Sequence, residues 1–236
     1  MSEAAGGRLV IVATPIGNLG DITQRALETL KTSDLIACED TRHTRKLLSH
    51  YAIHVPTTSY FEHNRRVRGP WLLEQVRLGQ QVALVCDAGT PGISDPGAAL
   101  IQEALAAGLR VEHVPGPAAL IHALVLSGLP TDRFVFEGFL PVKPGARRRR
   151  LTELAGFGRT VVLYESPHRL LKTLQDVREV LGDVPIGCAR ELTKLFEEIR
   201  REPVSAAIAH FTTQPPRGEF VLVFRPPAGE PDEDAT

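Results

Sequence analysis

Short apolar runs recur along the first half of the chain, separated by segments with helical patterning. Four of these runs predict strands, over residues 9–14, 34–38, 82–86 and 110–114. Most of them are continuously apolar rather than alternating, which is typical of strands that helices bury on both faces. The first half therefore predicts an α/β unit with a mainly parallel sheet.

Two of the intervening segments carry signals for helix starts and stops. In DITQRALETLK, Asp21 is the expected N-cap, and Gln24 follows three positions later as in a capping box. In SDPGAALIQEALAAG, Asp95 is the expected N-cap, Pro96 takes the first helical position and Gly108 ends the helix. Strands and helices thus alternate along this half of the chain.

A second set of elements follows, with predicted strands over residues 134–139, 160–165, 184–190 and 219–224. Residues 168–182 predict an amphipathic helix opened by Ser166 and Pro167. Its apolar stripe consists of Leu170, Leu171, Leu174, Val177 and Leu181. This half predicts a second, smaller α/β domain.

The boundary between the two domains is expected at residues 128–130, after a helix over roughly 117–126. We therefore assign residues 9–127 to an N-terminal domain and residues 128–226 to a C-terminal domain. Residues 1–8 are expected to form a flexible N-terminus. Residues 227–236 are expected to form a disordered acidic tail, because the last nine residues hold four acids and no base.

The composition narrows the class of protein. A chain of 236 residues that is 43% apolar and 23% charged can bury a sizeable core. No run approaches the ~18 apolar residues of a membrane span, and the N-terminus lacks the features of a signal peptide. Cys38, Cys86 and Cys188 are far apart, so we expect reduced buried thiols rather than a zinc site. We expect a cytoplasmic protein with no metal and no membrane partner.

Three loops rich in glycine and proline directly follow predicted strands, and their sequences are TPIGNLGD, DAGTPGISDPG and PGPAAL. In open α/β sheets, ligands bind beyond the carboxyl ends of the strands. Tight turn chemistry alone is the alternative for any one loop. Three such loops at strand ends favour a shared ligand site.

The ligand class can be narrowed from the residues of these loops. The chain has neither a P-loop nor a dinucleotide-binding fingerprint. The central loop, residues 87–97, carries Asp87 and Asp95 and no Lys or Arg. A helix N-terminus binds phosphate without a cation, yet two acids and no base fit a neutral or cationic ligand better. S-adenosylmethionine, with a sulfonium and a zwitterionic amino acid, is such a ligand.

Six motifs together resemble those of the ribosomal small subunit methyltransferase I family, in the tetrapyrrole-methylase-like class. They are TPIGNLGDIT, EDTRHT, DAGTPGISDPG, PGPAAL, YESPHR and RELTKLFEE, and the resemblance covers roughly residues 9–225. It implies two α/β/α domains, the second with a mixed sheet, S-adenosylmethionine in the cleft between them, and a homodimer. It also implies methylation of a cytidine ribose 2′-oxygen in the 16S rRNA decoding centre, within the small (30S) ribosomal subunit.

The resemblance also assigns cofactor contacts to the matching positions of this chain. They are Thr14, Pro15, Gly17, Asp87, Gly89, Thr90, Pro91, Gly92, Ile93, Ser94, Pro117 and Ala118, with Tyr164, Ala189 and Gly218 from the second domain. Three positions depart from the family pattern. Ala118 stands where a serine is usual, Arg65 where a glutamate is common, and Arg217 where a lysine is usual.

Methyl transfer to a ribose hydroxyl requires alignment and removal of the hydroxyl proton. Candidate bases are Glu39, Asp40, His43, His63, Glu165 and Glu191. We favour the motif that contains Glu39, Asp40 and Arg42, because it follows a predicted strand at the expected cleft. Capping of the next helix is the alternative role for the two acids. Glu191 and Lys194 either form a helical i, i+3 pair or organise the substrate ribose.

Basic clusters favour a nucleic-acid partner. RHTRK, HNRRVR and KPGARRRR hold no acid, although the formal net charge of the chain is only −1. A solvated helix face is the alternative for the run of four arginines. The predicted RNA-binding residues are His63, Asn64, Arg65, Arg66, Lys143, Arg147, Arg148, Arg149, Arg150, His168 and Arg169. The nearby aromatic residues Tyr60, Phe61 and Trp71 are expected in the core.

Two other functions remain open at this point. A methyltransferase of the same fold that acts on a small tetrapyrrole would also use arginines, because its substrate carries carboxylates. A non-catalytic ribosome-binding factor is supported only by the departures at Ala118 and Arg65. Turnover of S-adenosylmethionine distinguishes that factor from an enzyme.

Overall fold

The computed structural model of the chain describes residues 6–227. Most of the predicted flexible N-terminus and acidic tail lie outside those residues. The contacts divide the chain into two units, Met1–Ala118 and Ala119–Thr236. The sequence pattern predicted that the first domain extends to residue 127. In the structure the first unit ends earlier, at Ala118, so the residues from 119 to 127 belong to the second unit.

The first unit is built on a five-stranded sheet with the order β3-β2-β4-β1-β5. Its strands are β1 (Arg8–Val12), β2 (Leu35–Cys38), β3 (Thr57–Ser59), β4 (Gln81–Leu84) and β5 (Arg110–Val114). Every neighbouring pair is parallel, as predicted. The carboxyl ends of all five strands therefore lie at one edge, which we call the carboxyl edge.

Helices cover both faces of this sheet. They are α1 (Gln24–Thr32), α2 (Thr41–His50), α3 (Arg65–Arg77) and α4 (Gly97–Ala106). Successive residues of β1 enter different apolar clusters: Leu9 packs in one cluster and Val10 in another. A strand points successive side chains to opposite faces, so burial on both faces explains its continuously apolar sequence.

The helix starts differ in part from the predicted caps. Asp21 is not the N-cap of α1, because it lies in a short 3-10 helix, and the hydroxyl of Thr23 accepts the Ala26 amide at 3.1 Å instead. The N-cap of α4 is Pro96 rather than Asp95, because the helix begins at Gly97, although the carboxylate of Asp95 accepts the Gly97 amide at 2.6 Å. Gly108, with φ +68°, follows α4 at the predicted stop.

The second unit contains a mixed five-stranded sheet with the order β6-β7-β10-β8-β9. Its strands are β6 (Phe134–Phe139), β7 (Thr160–Glu165), β8 (Pro185–Arg190), β9 (Glu198–Pro203) and β10 (Phe220–Phe224). Strands β6 and β7 are parallel, and the other neighbours are antiparallel. The resemblance-based expectation of a mixed second sheet is confirmed.

The helices of the second unit are α5 (Ala119–Leu126), α6 (Pro144–Ala155), α7 (Leu170–Leu181) and α8 (Val204–Thr213). The predicted stripe of α7 is confirmed, since Leu170, Leu174 and Val177 are fully buried. Helix α5 contacts β7, β8 and β10, which is why it belongs to this unit. Within residues 6–227, no helix is long and apolar enough to cross a membrane.

Candidate active site

Three loops meet at the carboxyl edge of the first sheet. The loops after β1 and β4 form an antiparallel bridge in which the Thr14 amide lies 2.8 Å from the Gly89 carbonyl and the Gly89 amide 3.0 Å from the Thr14 carbonyl. The hydroxyl of Thr90 donates to the Pro117 carbonyl at 3.1 Å, which ties in the loop after β5. The structure thus brings together the three glycine-rich loops that follow predicted strands.

All predicted cofactor residues of the first unit lie in these loops. They are Thr14, Pro15 and Gly17 after β1, Asp87, Gly89, Thr90, Pro91, Gly92, Ile93 and Ser94 after β4, and Pro117 and Ala118 after β5. Ser94 has φ +61°, a left-handed conformation that a serine adopts at a cost. Gly92 has φ +92°, and an added Cβ would lie 3.0 Å from the Cδ1 atom of Ile101. The backbone of the central loop is therefore constrained in a conformation that favours glycine.

The carboxylate of Asp95 holds the central loop from inside. It accepts the amide of Gly92 at 2.9 Å and the amide of Gly97 at 2.6 Å. A Cβ at Gly97 would lie 2.7 Å from this carboxylate, so only glycine fits. Sequence reasoning assigned Asp95 only a helix cap and missed its second bond within the loop. An acid immediately before Pro-Gly at a helix start was the available signal.

Glu39 and Asp87 place negative charge at the carboxyl edge. The amide of Asp40, directly after Glu39, donates to the Oδ1 atom of Asp87 at 3.1 Å. Burial raises the pKa of Glu39, and the charges of Asp87 and Asp95 raise it further. Because residues 87–97 contain no basic side chain, these acids favour a cationic ligand.

The carboxylate of Asp40 caps α2. Its Oδ1 atom accepts the Arg42 amide at 2.7 Å, and this bond is the main reason for its lowered pKa. The alternative role as a helix cap, left open for this residue, is therefore the one that the structure shows. Arg42 is largely exposed, and its Nε atom lies 3.8 Å from the same oxygen.

The predicted cofactor residues of the second unit lie at one end of its sheet. Tyr164 on β7 and Ala189 on β8 are both paired with Val221, on the strand between them. Gly218 precedes β10 with φ +85°. A Cβ at Gly218 would lie 2.5 Å from the carboxylate of Glu191, so a larger residue would both strain the backbone and displace that side chain.

Glu191 and Lys194 form an ion-pair network with Glu219. The ammonium of Lys194 lies 3.0 Å from the carboxylate of Glu191 and 2.8 Å from that of Glu219. Burial works against ionisation of Glu191, but the Glu219 amide and Lys194 outweigh it and lower its pKa. Burial likewise opposes the charge of Lys194, yet the two carboxylates raise its pKa. The pair lies in the loop between β8 and β9 rather than on a helix.

The predicted RNA contacts in HNRR differ in their availability. The side chain of Asn64 is used within its own turn, because it accepts the Phe61 amide at 2.9 Å and donates to the Ser59 carbonyl at 3.0 Å. Arg65 lies 3.2 Å from the carboxylate of Glu62. His63 and Arg66 are exposed.

The arginine run on α6 serves mainly to hold α6 against α7 and β6. Arg147 is buried, with its Nε atom 2.6 Å from the carboxylate of Asp176 and its Nη1 donating to the Val142 carbonyl. The prediction that Arg147 contacts RNA is therefore wrong. Arg148 pairs with Asp176 and Glu179.

Arg150 is paired with Glu137 on β6, at 2.6 Å, and with Glu153. These two contacts leave it little freedom to meet a phosphate. Lys143 and Arg149 are exposed, and no carboxylate among residues 6–227 forms an ion pair with either. They are the members of this cluster that remain available for RNA.

In the YESPHR motif, His168 is exposed and Arg169 is engaged. The Nη2 atom of Arg169 donates to the Leu140 carbonyl at 2.6 Å, and its Nε atom lies 3.4 Å from the buried carboxylate of Glu165. The second carboxylate oxygen of Glu165 accepts the hydroxyl of Thr173. This motif thus ties the end of β7 to the start of α7.

The three cysteines are buried and form no disulfide, in agreement with the expected buried thiols. Burial raises the pKa of Cys86 to about 12 and that of Cys188 to about 12. Such thiols are protonated at neutral pH, so they are poor nucleophiles.

Comparison with known proteins places the chain in a family. The model of the tetrapyrrole (corrin/porphyrin) methylases matches residues 8–208. The chain belongs to this family. A relative from Synechocystis is 55% identical over 229 residues, covering 97% of this chain and 81% of that protein. A relative from Thermotoga maritima is 49% identical over 217 residues, covering 92% and 97%. Both are named ribosomal RNA small subunit methyltransferase I.

Solved structures of other proteins share the fold. The cobalamin biosynthetic enzyme cobalt precorrin-4 methyltransferase aligns with a TM-score of 0.70 at 19% identity, covering 94% of this chain and 97% of that one. A diphthine synthase aligns with a TM-score of 0.70 at 14% identity, covering 93% and 90%. These likenesses concern the fold alone.

Proposed function

We propose that this chain is an S-adenosylmethionine-dependent methyltransferase that acts on the RNA of the small ribosomal subunit. The observation that carries the proposal is the carboxyl edge of the first sheet. There, three loops are bonded to one another, and the central loop carries Asp87, which accepts the amide next to Glu39, and no basic side chain. The names of relatives about half identical over nearly the whole chain support the rRNA substrate.

The residues of the carboxyl edge fit a cationic cofactor. Burial and the nearby charges of Asp87 and Asp95 raise the pKa of Glu39, so ionisation of Glu39 is costly at this edge. A positive charge bound there lowers that cost. Gly89 and Gly92 have positive φ values, which favour glycine. Because glycine has no side chain, a ligand can approach the main chain closely there. S-adenosylmethionine supplies a methyl group activated by a positively charged sulfur.

Glu39 is the proposed base for the ribose hydroxyl. A carboxylate accepts a proton more readily when its pKa is raised towards the working pH. Burial together with Asp87 and Asp95 raises the pKa of Glu39, whereas Asp40 is occupied with capping. Glu39 would take the proton of the ribose hydroxyl, and S-adenosylmethionine, when bound, would supply the methyl group that this oxygen accepts.

The finer details of the reaction are proposed from the sequence motifs. They are methylation of one cytidine 2′-oxygen in the decoding centre, 16S rRNA of the small (30S) subunit as the partner, a homodimer and a location in the cytoplasm. Contacts from Tyr164, Ala189 and Gly218 to the cofactor are proposed on the same basis. A tetrapyrrole substrate is not favoured, because the relatives at about 50% identity carry the rRNA name.

The experiment that tests this proposal offers three acceptors in parallel to the protein and labelled S-adenosylmethionine. The acceptors are small subunits that lack the decoding-centre ribose methyl, protein-free 16S rRNA and a carboxylated tetrapyrrole. We expect label in the RNA of the small subunits. Label in the tetrapyrrole, or cofactor binding with no label in any acceptor, would contradict the proposal.

A further inference from the structure

Helix α3 presents an unusual outward face. Its inner face is formed by Gly69, Leu72, Leu73 and Val76, all of which are buried. The outer face carries Trp71, which the sequence pattern placed in the core but which is 38% exposed. Val67 and Arg68 lie four and three residues before Trp71, so the three side chains form one surface patch rather than scattered exposed residues.

The guanidinium of Arg68 lies over the ring of Trp71, with its Cζ atom 5.3 Å from the ring centroid. This cation–π contact holds two flat groups together at the surface. Val67, beside them, is 77% exposed. A planar base can stack on such a surface, since stacking on aromatic rings and on guanidinium planes is a general mode of binding unpaired nucleotides.

The unpaired and the paired arginines of α3 differ in their position along the helix. Among the described residues, neither Arg66 nor Arg68 forms an ion pair with a carboxylate, whereas Arg65 is paired with Glu62. At the other end, Arg77 is paired with Glu74 at 3.2 Å. The free positive charge therefore lies in the first two turns, as a polyanion would require.

These first turns begin near the carboxyl edge. Helix α3 follows β3, which pairs with β2, and β2 ends directly before Glu39. Neighbouring strands are about 4.8 Å apart, so β3 lies roughly 10 Å from β4 and its cofactor loop. Trp71 is six residues after the start of α3, about 9 Å along the helix. A strand of a few nucleotides can span that distance.

We propose that Arg66, Arg68 and Trp71 bind a single-stranded segment of the RNA substrate. One unpaired base stacks on the Trp71–Arg68 surface, and Arg66 contacts a phosphate. The segment adjoins the nucleotide whose ribose reaches the carboxyl edge. This inference rests on the proposed rRNA substrate and adds the element that positions it.

A second copy of the chain is a weaker occupant for this face. A symmetric interface would bring the unpaired Arg66 and Arg68 of both copies together, and like charges in contact are unfavourable. An RNA strand instead supplies phosphates for the arginines and bases for the aromatic ring. The positive charge of this face therefore favours RNA over a second copy of the chain.

Trp71 is the only tryptophan of the chain, so its fluorescence reports directly on this face. The probe is an oligoribonucleotide of about 12 nucleotides with the decoding-centre sequence, because single-strand sites cover roughly 4–16 nucleotides. We expect it to quench the Trp71 emission. Titration of an end-labelled copy, followed by anisotropy, gives the Kd independently of Trp71.

The variants distinguish the proposed contacts from a general effect of positive charge on RNA binding. Trp71→Ala and Arg68→Ser are each expected to weaken RNA binding about tenfold or more, and Arg66→Ser, which removes the phosphate contact, is expected to reduce the salt slope by about one. Arg77→Ser and Leu78→Ala, at the other end of α3, are the matched controls and should change Kd less than about twofold. Circular dichroism of every variant checks that α3 remains folded.

Three results would overturn the inference. They are RNA binding without Trp71 quenching, equal Kd values for wild type, Trp71→Ala and Arg68→Ser, or a change only in oligomeric state measured by light scattering. Methyl transfer to small subunits is measured in parallel. If the wild type transfers methyl groups to RNA but RNA binding does not depend on Trp71, this inference alone is refuted. If no methyl group is transferred to RNA, the proposed function is refuted.

Discussion

Glu39 and Asp40 are neighbours in the sequence with different roles in the structure. The carboxylate of Asp40 binds the first amides of α2 and has a lowered pKa. The carboxylate of Glu39 is partly desolvated near Asp87 and Asp95, and its pKa is raised. Sequence reasoning could name both acids, but it could not separate them, because the difference depends on where the loop after β4 lies.

Glu39→Gln should lower the rate of methyl transfer by about 10²–10⁴-fold, the usual contribution of a general base. In the wild type, the rate should rise as pH increases through the raised pKa of Glu39, because only the ionised form accepts a proton. Asp40→Asn is the matched control, since asparagine caps helices as well as aspartate does. A rate unchanged in Glu39→Gln would exclude Glu39 as the base.

The raised pKa of Glu39 also predicts a pH-dependent change in stability. Its stabilising contribution is complete below the ordinary pKa of 4.5 and is lost as pH rises through the folded-state value. Glu39→Gln removes the charge, so it should raise Tm relative to wild type near pH 7 but not near pH 4. Thermal unfolding at both pH values, without cofactor, measures this difference. A lower Tm for the variant at neutral pH would contradict it.

Arg147 should matter for stability rather than for RNA. Its side chain is 4% exposed and that of its partner Asp176 is 5% exposed. Removing one member of a buried pair costs about 3–5 kcal/mol, and Arg148 keeps part of the compensation here. Arg147→Met should therefore lower the free energy of unfolding by about 3 kcal/mol in urea titrations. Arg149→Ser, at an exposed position, should change it by less than about 0.5 kcal/mol.

At the scale of elements, the apolar strands and β5 were predictable, whereas β3 and β9 were not. Strands β1, β2 and β4 are buried on both faces, so their sequences are continuously apolar. Strand β3 is only TTS, and β9 is a charged edge strand, so neither has that signal. Helix α3 contains Gly69 and Pro70 in its interior, which obscures the helical pattern.

The meeting of the three loops was predictable for a geometric reason. Parallel strands end at the same edge, so loops that follow adjacent strands come together. The burial of Arg147 was not predictable, because its partner Asp176 lies on a different helix and only the packing of α6 on α7 joins them. A run of charges in a sequence does not reveal which members are neutralised.

Substitutions of Asp95 test whether cofactor binding depends on the conformation of the central loop. Asp95→Ala removes the acceptor of the Gly92 and Gly97 amides, a loss of about 1–3 kcal/mol. We expect S-adenosylmethionine to bind about tenfold more weakly or worse, measured by calorimetry. Asp95→Asn keeps one acceptor oxygen and should recover part of the affinity. Wild-type affinity in Asp95→Ala would show that the loop needs no internal support.

At the scale of the whole molecule, the two units differ in the type of their sheet and in the groups that lie at its end. The first unit has an all-parallel sheet whose carboxyl edge collects the loops and acids. The second has a mixed sheet whose end holds the Glu191–Lys194–Glu219 network beside Gly218. The motifs of the sequence lie mostly at these two ends, which explains why they are rich in glycine, proline and charge.

Methyl transfer to an RNA ribose is the proposed reaction of this chain. The most direct measurement incubates the protein with labelled S-adenosylmethionine and small subunits that lack the decoding-centre ribose methyl. The RNA is then digested to nucleosides and the label is identified by mass spectrometry. We expect label in 2′-O-methylcytidine from a single decoding-centre position. Label on a base, on another nucleotide or on protein would contradict it.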